Sequence, residues 1–363
     1  MTKKVRNPSI ELLRIVAMLC IIASHYACHG QQSAREILAT DFVGGVELEL
    51  FTLGNLGVDI FMAIAGYFGI DSKQKYRRLV PLVMQVFFYS VIMYVIFIAN
   101  HLIDFEVKGA IRALFPISFD EYGFPTLYIL VLILSPLLNV GIKEIKNNKK
   151  FLFLITFLWI FLPILSLNTV TYYCGELEQY IIAYSMGALV KLNEDKSANT
   201  KKNNTSVKYL ILSIIGLIAL TLVLSFVGMN NSLIYSFLIY LYYRNSPLML
   251  LITFWAIKVF KDLQMDGNTK IGKIINYIAG TTFGIYLIHD NNYVRGWIWR
   301  VPFNNSAFHG FMLLVHLLMS VVVVFSLCSF IELIRKNSIE KLYIKGGNRI
   351  AESVAKRFEE LSA

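Results

Sequence analysis

Apolar residues in this chain come as long, nearly unbroken runs separated by short polar segments. A hydrocarbon core about 30 Å thick needs roughly 17–25 apolar residues in a helix. Ten runs reach or approach that length: 10–28, 50–70, 79–99, 124–142, 151–168, 176–192, 208–228, 246–261, 274–290 and 309–334. The runs at 176–192, 246–261 and 274–290 are the weakest, being short or interrupted by glycine or polar residues. The stretch 232–243, SLIYSFLIYLYY, is too short to cross and is expected to dip into the outer face or lengthen the eighth helix. Lipid offers the backbone no hydrogen-bond partners, so segments of this kind must satisfy themselves as helices. The expected fold is all-α: a polytopic membrane helical bundle of about ten transmembrane helices.

Composition agrees with this pattern. Of 363 residues, 56% are apolar and 16% charged, and the mean hydropathy is +0.59. A soluble domain carries about 25% charge. Disorder, a coiled coil, a collagenous repeat and a cysteine-stapled secreted domain are excluded. The net charge of +10 could suggest nucleic acid, but its distribution argues otherwise. With the N-terminus inside, 27 of the 34 Lys and Arg residues fall in cytoplasmic segments, six fall in external loops, and Arg14 lies within the first span. By the positive-inside rule both termini are cytoplasmic. The basic surplus is therefore a topology signal, and no nucleic-acid partner is expected.

Glu11 and Arg14 interrupt the first apolar stretch and no small-x-small cleavage site follows, so a retained first helix is expected. Cys20, Cys28, Cys174 and Cys328 show no metal-ligand spacing, and no metal is expected. Cys28 and Cys174 both fall near the outer face and could pair; buried thiols are the plainer reading. From about residue 335 a basic tail follows, in which Ile350, Val354, Phe358 and Leu361 recur at helical spacing, as in an amphipathic helix on the cytoplasmic membrane surface.

Ionisable groups at bilayer depth cost about 2.5–3.5 kcal/mol each on translocon scales and mark function. The first span carries Glu11, Arg14, His25 and, at its outer end, His29. Arg14 and His25 are eleven residues apart, about 20° beyond three full turns, so they share a helix face about 16 Å apart along the axis. Glu11 lies one turn from Arg14 and can pair with it. As structural elements these would be an interfacial ion pair and a packing histidine. Other spans bring partners to the same depth: Asp59 in the second, His289 at the end of the ninth, His316 in the tenth, and Glu176 and Glu178 at the start of the sixth. Imidazole suits proton transfer near neutral pH. Lys73, Lys75, Arg77 and Arg78 cluster after the second span. Topology explains part of this cluster, and phosphate recognition would also use it. No P-loop, dinucleotide fingerprint or zincin motif is present.

Four segments resemble the acyltransferase-3 family of integral membrane acyltransferases. They are NPSIELLRIVAMLCIIASHY, with Arg14 and His25 separated by ten residues; GVDIFMAIAGYF at 57–68; the basic turn KYRRLVP at 75–81; and TTFGIYLIHD at 281–290. Ala65 stands where the family usually has Ser, and Lys75 where an Arg often begins the basic motif. The resemblance spans about residues 7–334, so residues 1–334 would form the acyltransferase-like transmembrane domain and 335–363 the tail. It implies transfer of an acyl group, acetyl above all, from cytoplasmic acetyl-CoA or another acyl-CoA to a hydroxyl of an extracytoplasmic glycan or lipid-linked saccharide, across a bacterial inner membrane. It implies His25 as general base or acyl carrier, Arg14 positioning the pantetheine or thioester end of the donor in the buried channel, and Lys75, Arg77 and Arg78 on the CoA phosphates. His289 and Asp59 would orient His25 or the acceptor, with Glu11 and Tyr67 in supporting places. A transporter or permease built on the same buried Arg, Asp and His residues is the alternative.

Overall fold

The computed structural model describes residues 6–30, 42–72, 76–145, 176–193, 200–228 and 246–342, with Gly346, Arg349 and Ser353. Among these residues the chain is helical, without strands. The helices are α1 (Pro8–His29), α2 (Phe42–Gly69), α3 (Tyr76–Ala99), α4 (Val107–Leu114), α5 (Phe124–Ile145), α6 (Glu176–Leu192), α7 (Thr200–Gly228), α8 (Pro247–Asp262), α9 (Lys270–Ala279), α10 (Thr282–His289), α11 (Asn292–Ile298) and α12 (Gly310–Asn337). The expected span at 151–168, the stretch 232–243, Cys174 and the amphipathic tail positions lie outside the described residues.

Six helical segments among the described residues are long and apolar enough to cross a membrane: Pro8–His29, Leu79–Ala99, Phe124–Ile145, Asn204–Val223, Lys270–His289 and Gly310–Leu342. Their outward residues, such as Val95, Leu137, Leu222, Leu318 and Phe330, are exposed and apolar. In water such a belt would be a liability, and in lipid it is the natural surface.

Helix α1 is the central element, packed against α2 and α8 through α12. Its start is set locally: Asn7 Oδ1 accepts from Ser9 N at 3.0 Å, and Pro8 occupies the first turn, where a missing N–H costs nothing. Ile10, Leu13, Met18, Ile21 and Ile22 on this helix are fully buried. Helices α2 and α6 meet backbone to backbone. A Cβ on Gly66 would overlap the Tyr184 carbonyl, and one on Gly187 would overlap the Ala63 carbonyl. Small residues permit this approach, which supplies van der Waals packing where no hydrophobic drive separates helices from lipid.

The expected ninth span, 274–290, is two helices, α9 and α10, joined at Gly280–Thr281. Polar side chains take up the backbone there. Thr281 Oγ1 donates to Ile278 O at 2.7 Å and lies 2.9 Å from Ser329 Oγ, while Thr282 Oγ1 donates to Ala279 O at 2.8 Å. Lys336 Nζ reaches Gly280 O at 3.4 Å. The second span is longer than expected, since α2 begins at Phe42. The tenth runs past residue 334 without a break: Arg335, grouped with the tail by sequence, is a buried member of α12.

Cross-chain contacts define two ends of the bundle. At the Arg14 end, Met265 N donates to Ser9 Oγ at 3.0 Å, Asn276 Nδ2 to Arg6 O at 3.2 Å, and Asn139 Nδ2 to Gly69 O at 3.1 Å. The starts of α1, α3 and α9 and the ends of α2, α5, α8 and α12 are thereby gathered together. At the other end lie His25, the 100–123 segment and the chain from Asp290 to His309.

Candidate active site

The site is built where α1 and α10 run side by side. His289 is the last residue of α10 and is fully buried. Its Nδ1 is 2.6 Å from Ile285 O, one turn back, and its Nε2 is 3.0 Å from His25 Nδ1. These two bonds fix the proton positions for neutral rings. A carbonyl oxygen can only accept, so His289 carries its proton on Nδ1 and offers a lone pair at Nε2. His25 must then donate from Nδ1, which leaves its own lone pair on Nε2. His25 retains 16% of its side-chain surface, so it is the member of the pair that can meet a reactant. Tyr286 stands against both rings, with centroids 5.9 Å from His25 and 5.8 Å from His289.

The sequence sets His289 level with His25 in depth, and the structure joins the two rings directly. The expected Glu11–Arg14 pair also forms, at 3.5 Å between Oε2 and Nε. Glu11 is buried and Arg14 partly so, and neither Glu11 Oε2 nor Arg14 Nε makes a hydrogen bond. At that separation the pair is held by charge rather than by a hydrogen bond. Arg14 and His25 stand on one continuous helix, as their spacing requires.

Of the other candidates, Asp59 is buried in α2. Tyr67 belongs to the Arg14 end, with Lys191 Nζ 5.0 Å above its ring. Lys75 lies outside the described residues, and Arg77 and Arg78 form the first turn of α3, where the backbone alone is described. His316 is a packing residue: Tyr26 OH is 2.8 Å from its Nδ1, and Phe308 stacks on it at 4.1 Å.

Several polar residues at the site escaped the sequence reading. Asp290 follows His289 directly and is buried. Its Oδ1 lies 3.6 Å from His25 Nδ1, 3.8 Å from His29 Nε2 and 3.7 Å from Arg295 Nη1. Its place next to a motif histidine was the signal that could have found it. A clasp holds α11 over this end: Asn291 Nδ2 donates to Tyr122 OH at 2.7 Å, Asn292 Nδ2 donates to Glu121 Oε2 at 2.6 Å, and Glu121 also pairs with Arg112. Burial raises the Tyr122 phenol above its ordinary pKa, so it stays a hydroxyl. At the other end, buried Glu332 accepts from Gln85 Nε2 (3.0 Å), Tyr89 OH (2.6 Å) and Arg335 Nε and Nη2 (both 2.8 Å). This network ties α3 to α12. Gly284 lets α10 pass, since any Cβ there would strike the Glu332 carboxyl group.

Lipid-facing helices around an imidazole pair held between two of them define a polytopic membrane protein with acid–base capacity in its interior. A family model described as an acyltransferase domain matches residues 7–333. The chain therefore belongs to the acyltransferase-3 family, whose members are membrane acyltransferases. Comparison with curated proteins and with solved structures gives no significant match.

Proposed function

We propose that this acyltransferase takes an acetyl group from cytoplasmic acetyl-CoA and delivers it to a hydroxyl of an extracytoplasmic glycan or lipid-linked saccharide. The membrane would be a bacterial inner membrane, crossed about ten times with both termini inside. The observation that carries this reading is the Ile285 O–His289–His25 chain, which leaves a lone pair at His25 Nε2.

In this reading the acceptor hydroxyl gives its proton to His25 Nε2 as its oxygen attacks the thioester carbonyl. Collapse of the adduct breaks the C–S bond, and the sulfur leaves with a proton returned by the imidazolium. His289 holds the ring in the reactive tautomer and accepts from the Nδ1–H that becomes more acidic as His25 charges. A positioned general base contributes about 10²–10⁴-fold.

Arg14 lies about 16 Å down the same helix face. That separation suits a donor with an anionic head at one end of the bundle and a thioester carried to the other on a long arm. Arg77 and Arg78 stand in the first turn of α3 at the Arg14 end, and with Lys75 they would hold the CoA phosphates, since guanidinium groups match phosphate bidentately.

The test is the purified protein in proteoliposomes with acetyl-CoA inside and saccharide acceptor outside. Acceptor-dependent CoA release and acetylated product are expected. Uptake of a solute with no acetyl transfer would overturn the reading in favour of a transporter.

A further inference from the structure

Asp290 Oδ1 is buried and makes no hydrogen bond. Three nitrogen atoms surround it at 3.6, 3.7 and 3.8 Å, all beyond the roughly 3.2 Å limit of a hydrogen bond. Two of them belong to His25 and His29, four residues apart on α1 and so on one helix face. The ligand atoms of His25, His29 and Asp290 all lie within 4.8 Å of one another. Zinc binds imidazole nitrogen and carboxylate oxygen at about 2.0–2.2 Å, which puts the donors of a tetrahedral site about 3.4 Å apart. The Asp290–histidine distances are within a few tenths of an ångström of that edge.

We propose that His25, His29 and Asp290 form a binding site for one divalent transition-metal ion, zinc by ligand type, and that the ion inhibits acyl transfer. Two imidazoles and a carboxylate make the three-ligand set typical of zinc sites with an open fourth position. Arg295 is the resident cation in the ion's absence. It is 40% exposed, and its Nη2 donates to Asn292 Oδ1 at 2.7 Å, a bond independent of Asp290, so it can turn outward when an ion arrives.

The inhibitory part rests on the function proposed above. His25 would ligate through Nδ1, the nitrogen that otherwise donates to His289. The lone pair used by the metal requires the ring proton to sit on Nε2, an exchange of tautomers with no net release of a proton. The bond to His289 is lost, and with it the lone pair that would take the acceptor's proton.

The full-length protein, stripped with chelator in detergent, is titrated with Zn2+ and with Co2+ as a spectroscopic probe. One ion per chain is expected, with a Co2+ absorption band. His29→Ala and Asp290→Asn should each weaken binding at least tenfold, and Arg295→Gln should strengthen it. His29 lies outside the proposed acyl-transfer machinery, so His29→Ala should keep basal activity, which also certifies its fold, and should resist Zn2+ concentrations that stop the parent. His29→Gln should behave alike.

Binding that is absent, or unchanged in His29→Ala and Asp290→Asn, would overturn the site. Undiminished acetyl transfer by zinc-loaded parent, or equal inhibition of His29→Ala, would overturn the inhibitory role. If metal-free parent transferred no acetyl group at all, the acyl-transfer reading would fail while the metal titration still decided the site.

Discussion

His289 spends both ring nitrogens inside the protein, one on the Ile285 carbonyl and one on His25. Such a residue controls its neighbour's tautomer without touching a reactant, and its loss should differ in kind from loss of His25. His25→Ala should lower turnover by about 10²–10⁴-fold while the protein still inserts and folds. His289→Ala should lower kcat and leave KM for acetyl-CoA near the parental value, and His289→Gln, whose amide oxygen can accept from His25 Nδ1, should recover part of the loss. Steady-state CoA release in proteoliposomes separates these outcomes, and a parental rate in His25→Ala would remove it from the chemistry. Arg14→Ala should instead act on donor use, because its contacts lie at the opposite end of α1.

At the scale of helices, two devices fix the frame around the site. The α2–α6 crossing depends on the absence of side chains at Gly66 and Gly187, each of which faces backbone rather than a movable group. Gly187→Leu should therefore prevent close packing and abolish a monodisperse folded species on size-exclusion chromatography. The second device is Glu332, fully saturated by Arg335, Tyr89 and Gln85. Removing one member of a buried ion pair costs about 3–5 kcal/mol when it strands the other charge; without Glu332, buried Arg335 would keep the Glu340 carboxylate at 2.8 Å. Glu332→Ala should lower thermal stability in detergent strongly, and Glu332→Met combined with Arg335→Met should restore much of it. If the double substitution were no better than the single one, stranding of Arg335 would not be the cause.

Across the whole molecule, the helix ends bearing Arg77, Lys143, Lys191, Lys261, Lys270 and Lys336 share the Arg14 end, while Arg112, Arg295 and Arg300 belong to the His25 end. The proposed topology puts the first group in the cytoplasm. Single cysteines placed at Lys341 and Arg300, in a background lacking the native four, should label from opposite sides of the membrane with an impermeant maleimide. Labelling from the same side would refute the arrangement. Replacing Lys75, Arg77 and Arg78 together should raise KM for acetyl-CoA with less effect on kcat, as expected for groups that bind the remote end of a donor. An unchanged KM would leave that loop as a topology determinant alone.

The helical class, the membrane as solvent and the shared face of Arg14 and His25 are legible in the amino-acid order, because these follow from apolar run length and from the fixed pitch of a helix. That order also carried the family, in motifs that survive as short linear patterns. It could not place His289 against His25 rather than merely level with it, since the meeting of residues 264 positions apart is decided by how α10 packs beside α1. It marks the 274–290 run as weak, but the division into two helices at Gly280–Thr281 rests on contacts such as Thr281 with Ser329 of α12. Arg335 reads as one more basic residue beyond a span; its pairing with Glu332 is local, three residues back on the same helix, while the further bonds to that carboxylate come from Gln85 and Tyr89 on α3. Asp290 belongs with these. Its neighbours in the chain mark it as a helix-end residue, and its gap among two histidines and an arginine exists only in three dimensions.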